Sequence, residues 1–271
     1  MIIIDCEIKR AIPPRKGEPP LPDGIETCEG WRDFAGMGVS VVCTYDIATH
    51  LSRCFLEEDF AELVTYLDGK PTAGFNTRRF DLPLLGHHGV TCQNPSDHYD
   101  MLEMIWVALG LNPNKFYFKT HGGWSLDSVC QATLGIAKTG HGALAPVWWQ
   151  QGKRGKVIDY CLNDVWMEGQ LLMHILRGQP VRNQAGHVVR VEPPAGVRYT
   201  YEADPITRPR AERVAQLNKE ITEHLAEDAP AGTMEGLQDA IDEGRDVRVT
   251  ANPPVAESVT LVTTAGLGII R

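Results

Sequence analysis

Eight residues place the strongest limit on what this chain can fold into. Met1-Ile2-Ile3-Ile4-Asp5-Cys6-Glu7-Ile8 is a run of β-branched apolar side chains broken by two carboxylates one residue apart. Consecutive isoleucines read as a strand buried on both faces. Side chains at i and i+2 of a strand leave on the same face, so Asp5 and Glu7 project together. Two neighbouring carboxylates repel unless a cation sits between them, and hard, oxygen-seeking Mg²⁺ or Mn²⁺ is the usual one. An edge strand with its acids facing water is the other reading. Further carboxylates arriving at usable positions decide between the two.

The 271 residues, 43% of them hydrophobic, suffice for one ordinary core domain with an appendage. No window offers the ~18 apolar residues of a membrane helix and the first residues lack a basic, then apolar, leader, so the expectation is a cytoplasmic protein with no membrane partner. Seven cysteines without a Cys-x-x-Cys pair argue against a disulfide framework and a zinc ribbon, and are read as reduced and mostly buried. The net charge of −9 argues against a tight, salt-resistant polyanion binder. Basic residues nevertheless sit beside acidic landmarks, Arg78 and Arg79 before Asp81, and Lys153, Arg154 and Lys156 before Tyr160. A short stretch of nucleotides held through metal ions is compatible with that balance.

Five prolines between Pro13 and Pro22 forbid helix and central strand, so 10–31 is read as an exposed loop. Met37 to Tyr45 and Leu51 to Leu56 are strand-like, completing an antiparallel meander with the first strand. Glu57 to Leu67 has helical spacing, and Pro71 to Asn76 reads as a short buried strand feeding a helix at Asp81. Asp81 suits an N-cap as well as a site position. The segment from Asp100 to Leu109 is strand or helix, and Ser125 caps a helix to about Leu134. A mobile connection is expected over 139–155, then a long amphipathic helix from Lys156 to Leu176, stopped by Gly178 and Pro180. Tyr160 and Asp164 lie one turn apart on its face. The fold class is therefore α/β, a mixed central sheet flanked by helices. Residues 179–271 are read as a C-terminal extension: a hairpin at 181–191, helices over 210–225 and 235–243, and strand-like residues in 258–270.

Asp-x-Glu (Asp5, Glu7), Asn-x-x-x-Phe-Asp (Asn76, Phe80, Asp81) and Tyr-x-x-x-Asp (Tyr160, Asp164) stand in that order. The set resembles the DEDD superfamily of 3′–5′ exonucleases, in the tyrosine-containing branch, and within it the exonuclease domain of family B DNA polymerases. The resemblance covers residues 1–178. It implies a ribonuclease-H-like fold whose four carboxylates, Asp5, Glu7, Asp81 and Asp164, hold two divalent ions, Mg²⁺ or Mn²⁺. Asp5 would bridge both ions, Glu7 and Asp164 would bind the one that activates water, Asp81 would act through water ligands, and Tyr160 would hydrogen-bond the attacking water and the scissile phosphate. The implied partners are 3′ ends of single-stranded DNA or RNA, and a separate polymerase or replication protein.

Asn76 and Phe80 match the family positions that place the terminal nucleotide, and core packing or turn satisfaction is the alternative. Arg78 and Arg79 suit backbone phosphates or plain solvation. Trp124, Trp148 and Trp149 suit base stacking or core packing. Histidines 87, 88 and 141 read as structural. The loop at 10–31 and the extension are not part of the minimal family domain. Two other functions fit the same residues: a phosphodiesterase on dinucleotides or other small phosphodiesters, which little basic surface favours, and a non-catalytic nucleic-acid module on the same fold.

Overall fold

The computed structural model describes residues 1–91 and 97–197, together with the strands 248–250, 259–263 and 266–270. The chain divides into two compact units, Met1–Tyr199 and Thr200–Arg271.

In the first unit, β1 (Ile2–Ile8) is followed by the proline-rich loop and a short helix, α1 (Phe34–Met37). Strands β2 (Val39–Asp46) and β3 (Leu51–Phe55) then form the meander, and α2 (Phe60–Leu67) follows. Strand β4 (Thr72–Gly74) leads into α3 (Asp81–His87), and β5 (His98–Asp100) into α4 (Met101–Ala108). Helices α5 (Phe118–His121), α6 (Leu126–Leu134) and α7 (Ala145–Gln150) precede the long α8 (Arg154–Leu176). A small hairpin, β6 (Val181–Arg182) with β7 (Val188–Val189), completes the unit.

The central sheet has the order β3-β2-β1-β4-β5. Strands β1, β2 and β3 pair antiparallel, while β4 and β5 run parallel to β1. This is the mixed sheet of meander plus parallel strands flanked by helices that the sequence predicts. One apolar layer lies between the sheet and α4, α6, α7 and α8. The other lies beneath α2 and α3, with Leu63, Leu67, Leu84 and Leu85 against Ile2, Ile4, Cys6 and Ile8. Close seating of α8 has a specific cause: a Cβ on Gly169 would stand 2.4 Å from the Tyr45 ring of β2, so only glycine lets the helix come so near.

Two expectations change and one open alternative is resolved. The expected mobile connection over 139–155 holds α7, whose Ala145, Pro146, Val147 and Trp148 are buried, with a proline at the helix start. Gln150 ties it down by accepting from Glu26 N–H at 2.7 Å and donating to Lys9 O at 2.9 Å, which pins the proline-rich loop as well. The segment after Asp100 is helix, capped by that residue's carboxylate. The first unit also runs past the boundary drawn at residue 178. Val181 and Val191 sit in its core, Thr133 Oγ1 bonds both the N–H and the carbonyl of Arg182, and Tyr99 donates to Glu192 O at 2.6 Å.

The described part of the second unit is an antiparallel sheet of three strands, β8 (Arg248–Thr250), β9 (Val259–Thr263) and β10 (Gly266–Ile270), in the order β10-β9-β8. Within the strand-like stretch, 259–263 and 266–270 thus pair antiparallel. The helices expected over 210–225 and 235–243 lie outside the described residues. No described helix is long and apolar enough to cross a membrane, and the six described cysteines are free, five of them buried.

Candidate metal centre

Alternation along β1 sorts its side chains. Its even residues face α2 and α3, Ile3 faces the α8 layer, and Asp5 and Glu7 share the face of Ile3. Opposite them α8 carries Tyr160 and, one turn later, Asp164. One carboxylate oxygen from each of Asp5, Glu7 and Asp164 lies within 4.8 Å of the other two. Glu7 and Asp164 are 8% and 3% exposed, so the edge-strand reading does not hold.

Asp81 reaches the same strand from its edge. Strand β4 pairs with β1 only at Ile2 and Ile3. Beyond that point the edge of β1 lacks a neighbouring strand, and Asp81 Oδ1 fills the gap, accepting from Cys6 N–H at 3.1 Å and Cys6 S–H at 3.0 Å. It is the first helical residue of α3, with Phe80 in the cap position, so the capping reading fails. Asp81 lies outside the group of three, yet its charge bears on Asp5.

Lys138 enters the cluster unannounced by the sequence reading. Its Nζ donates to Asp164 Oδ2 at 2.5 Å and to the Tyr160 hydroxyl at 3.1 Å, and its backbone N–H is held by Asp127. The available signal is a single lysine in the glycine-bearing connection between α6 and α7. Burial opposes its charge, but Asp164, Tyr160 and Asp5 hold its pKa above the ordinary lysine value. Burial raises the Tyr160 phenol, with Lys138 pulling the other way, and the phenol stays protonated at neutral pH.

Desolvation dominates the carboxylates. Burial, then repulsion from Asp81 and Asp164, raises Asp5 well above the usual range, and burial followed by Asp5 does the same to Glu7. Asp81 is pushed up to about 6, mainly by burial. Asp164 is raised by burial against the pull of Lys138. One turn beyond it, Glu168 is 1% exposed with Oε2 unpartnered, and burial then the charge of Asp5 raise it too. Asp164 Oδ1 is likewise buried without a partner. Carboxylates this dry and this close gain most from a divalent cation, and all-oxygen donors suit a hard one. Asp5, Glu7 and Asp164 can therefore hold a metal ion.

The residues between β4 and α3 are tied to the scaffold. Asn76 has φ 65°, a left-handed conformation that asparagine tolerates better than most residues. Buried Asp100 organises the turn by accepting from Asn76 N–H and Arg78 N–H at 3.0 Å each, and caps α4 through Leu102 and Glu103 N–H. Arg78 pairs with Glu103 at 3.4 Å and donates to His98 O. Arg79 donates to Pro113 O and lies 5.0 Å over the Trp106 ring. Phe80 packs edge-on against Trp31 and Phe34. Trp124 and Trp148 are core residues, and Trp148 packs on Tyr160.

No family model matches the sequence, and no curated protein does. Among solved structures, the chain aligns with the family B DNA polymerase from the hyperthermophilic archaeon Pyrobaculum calidifontis at 15% identity and a TM-score of 0.41, over 65% of this chain and 24% of that one. It thus spans about a quarter of that polymerase's length.

Proposed function

We propose that this chain is a metal-dependent 3′–5′ exonuclease of the DEDD type, tyrosine-containing branch. It releases nucleoside 5′-monophosphates from 3′ ends of single-stranded DNA, with RNA as a further substrate, using two Mg²⁺ or Mn²⁺ ions. The observation that carries the reading is the meeting of Asp5, Glu7 and Asp164 within 4.8 Å, with Glu7 and Asp164 buried, although the chain separates them widely.

Divalent ions bound there supply Lewis acidity at the scissile phosphodiester. Asp5, Glu7 and Asp164 hold them, and Asp81, whose Oδ1 is committed to Cys6, acts from the outer shell. Tyr160, kept neutral by burial, is a hydrogen-bond donor for the attacking water or the phosphate. Lys138 orients Asp164 and Tyr160 by donating to both, and its ammonium adds positive charge where an anionic substrate gathers more negative charge. Asn76 and Phe80 border the site through the turn that ends at Asp81, and support placement of the terminal nucleotide.

The test is cleavage of 3′- and 5′-labelled oligonucleotides with Mg²⁺ or Mn²⁺, wild type beside Asp5→Ala. Stepwise shortening from the 3′ end that requires metal and vanishes in the variant is expected. An equal rate in both proteins removes the proposal. The net charge of −9 favours a second reading, a phosphodiesterase of dinucleotides. Faster turnover of a dinucleotide than of a long strand selects it, while absence of any metal-dependent cleavage selects the non-catalytic module.

A further inference from the structure

Between Glu103 and Asp159 this acidic chain carries six lysine and arginine side chains against a single carboxylate, Asp127. Inside that window the run Lys115-Phe116-Tyr117-Phe118-Lys119 places three aromatic residues in succession at the surface. Phe116 is 49% exposed, Tyr117 63% and Phe118 81%, an unusual concentration of large apolar area in one short stretch. Both lysines are exposed as well.

The stretch is built to hold its shape. Buried His121 takes the Tyr117 N–H on Nδ1 at 3.2 Å and, with its proton therefore on Nε2, donates to Asn112 O at 3.1 Å, closing the loop at both ends. The imidazole stacks edge-on against Trp106, which donates to His121 O, and both rings border Phe116. Arg79 joins this group, its guanidinium 5.9 Å from the Phe116 ring and its backbone two residues before Asp81. Beside it opens a cleft of about 460 Å³ lined by Arg78, Arg79, Glu103, Pro113 and Asn114.

We infer that Phe116, Tyr117 and Phe118, flanked by Lys115 and Lys119, form a ledge on which unpaired bases of a single-stranded nucleic acid stack upstream of the metal centre. The inference rests on the proposed exonuclease reading for its direction, since Arg79 connects the ledge to the turn that carries Asp81. Its chemistry stands on the ledge. Every base has a π-face, so stacking on aromatic rings holds a strand without regard to sequence, and flanking lysines meet its phosphates.

The experiment measures binding of a 5′-fluorescein-labelled thymidylate dodecamer by anisotropy in EDTA, where no cleavage occurs. Exposed side chains are chosen so that folding is kept: the double variant Tyr117→Ala/Phe118→Ala, with the aromatic exchange Tyr117→Phe/Phe118→Tyr as its companion. The alanine pair is expected to weaken binding about tenfold or more, and the aromatic exchange to keep it within about threefold. An alanine pair that binds as tightly as wild type overturns the ledge, as does a wild-type protein that binds no dodecamer. The two proposals fail separately. A protein that cleaves oligonucleotides but binds equally well without the ledge loses the ledge alone. One that binds through the ledge but cleaves nothing loses the exonuclease reading alone.

Discussion

The two faces of β1 share one alternation and have opposite contents. Ile2, Ile4, Cys6 and Ile8 close a dry layer with α2 and α3, whereas Asp5 and Glu7, on the face of Ile3, meet Asp164 and Lys138 from the other side. The first face gains free energy from burial. The second loses it, because like charges are removed from water with one ammonium to offset them. The contrast teaches where stability and chemistry are kept apart in this fold, on opposite sides of a single strand.

Substitutions on the two faces therefore have different signatures. Asp5→Ala is expected to cut the proposed metal-dependent cleavage about a thousandfold or more, since it removes one of the three clustered carboxylates. The same variant in the metal-free state is expected to melt no lower than wild type, as scanning calorimetry can show. Ile4→Ala reverses the pattern, costing about 2–5 kcal/mol in urea unfolding while the folded chain is expected to keep the cleavage rate proposed for wild type. A loss of turnover in Ile4→Ala at full folding would erase the distinction between the faces.

Protonation sharpens it further. Asp81 binds its proton more tightly in the folded chain, at about 6, than the 3.8 of an ordinary aspartate. A raised carboxylate contributes stability at low pH that is lost as pH climbs from the unfolded to the folded value. Metal-free wild type should therefore lose melting temperature relative to Asp81→Asn between about pH 4 and pH 6, and Asp5 and Glu7 extend the loss upward. Mn²⁺ acts in the opposite sense, because it binds the ionised groups, and its stabilisation should grow with pH. A difference that stays flat across this window contradicts the burial of Asp81. The smallest expected effect belongs to Tyr160→Phe, a rate loss of about tenfold with no new break in the alkaline pH profile, because the phenol works protonated.

How much of this was legible depends on the range of the signal. The strand of Asp5 and Glu7 and the helix of Tyr160 and Asp164 announce themselves because their periodicities are local and long. Helix α7 does not, since six residues among glycines carry too little pattern to outweigh the breakers around them. Lys138 and Asp100 act through partners 26 and 24 residues away, Asp164 and Asn76, which no local spacing reveals. The two arginines before Asp81 look like free cations in the sequence, but the fold engages both with backbone carbonyls. The stop at Gly178 and Pro180 marks the end of α8 correctly, and a helix end is not a domain end: Val181 and Val191 still bury themselves in the first core.

Gly169 gains a wider meaning from the closeness of the acids. The ring of Tyr45 leaves no room for even a methyl group there, so any larger residue levers α8 outward and carries Asp164 with it. The spacing of the acids is gauged five positions from Asp164, by a residue that has no side chain at all.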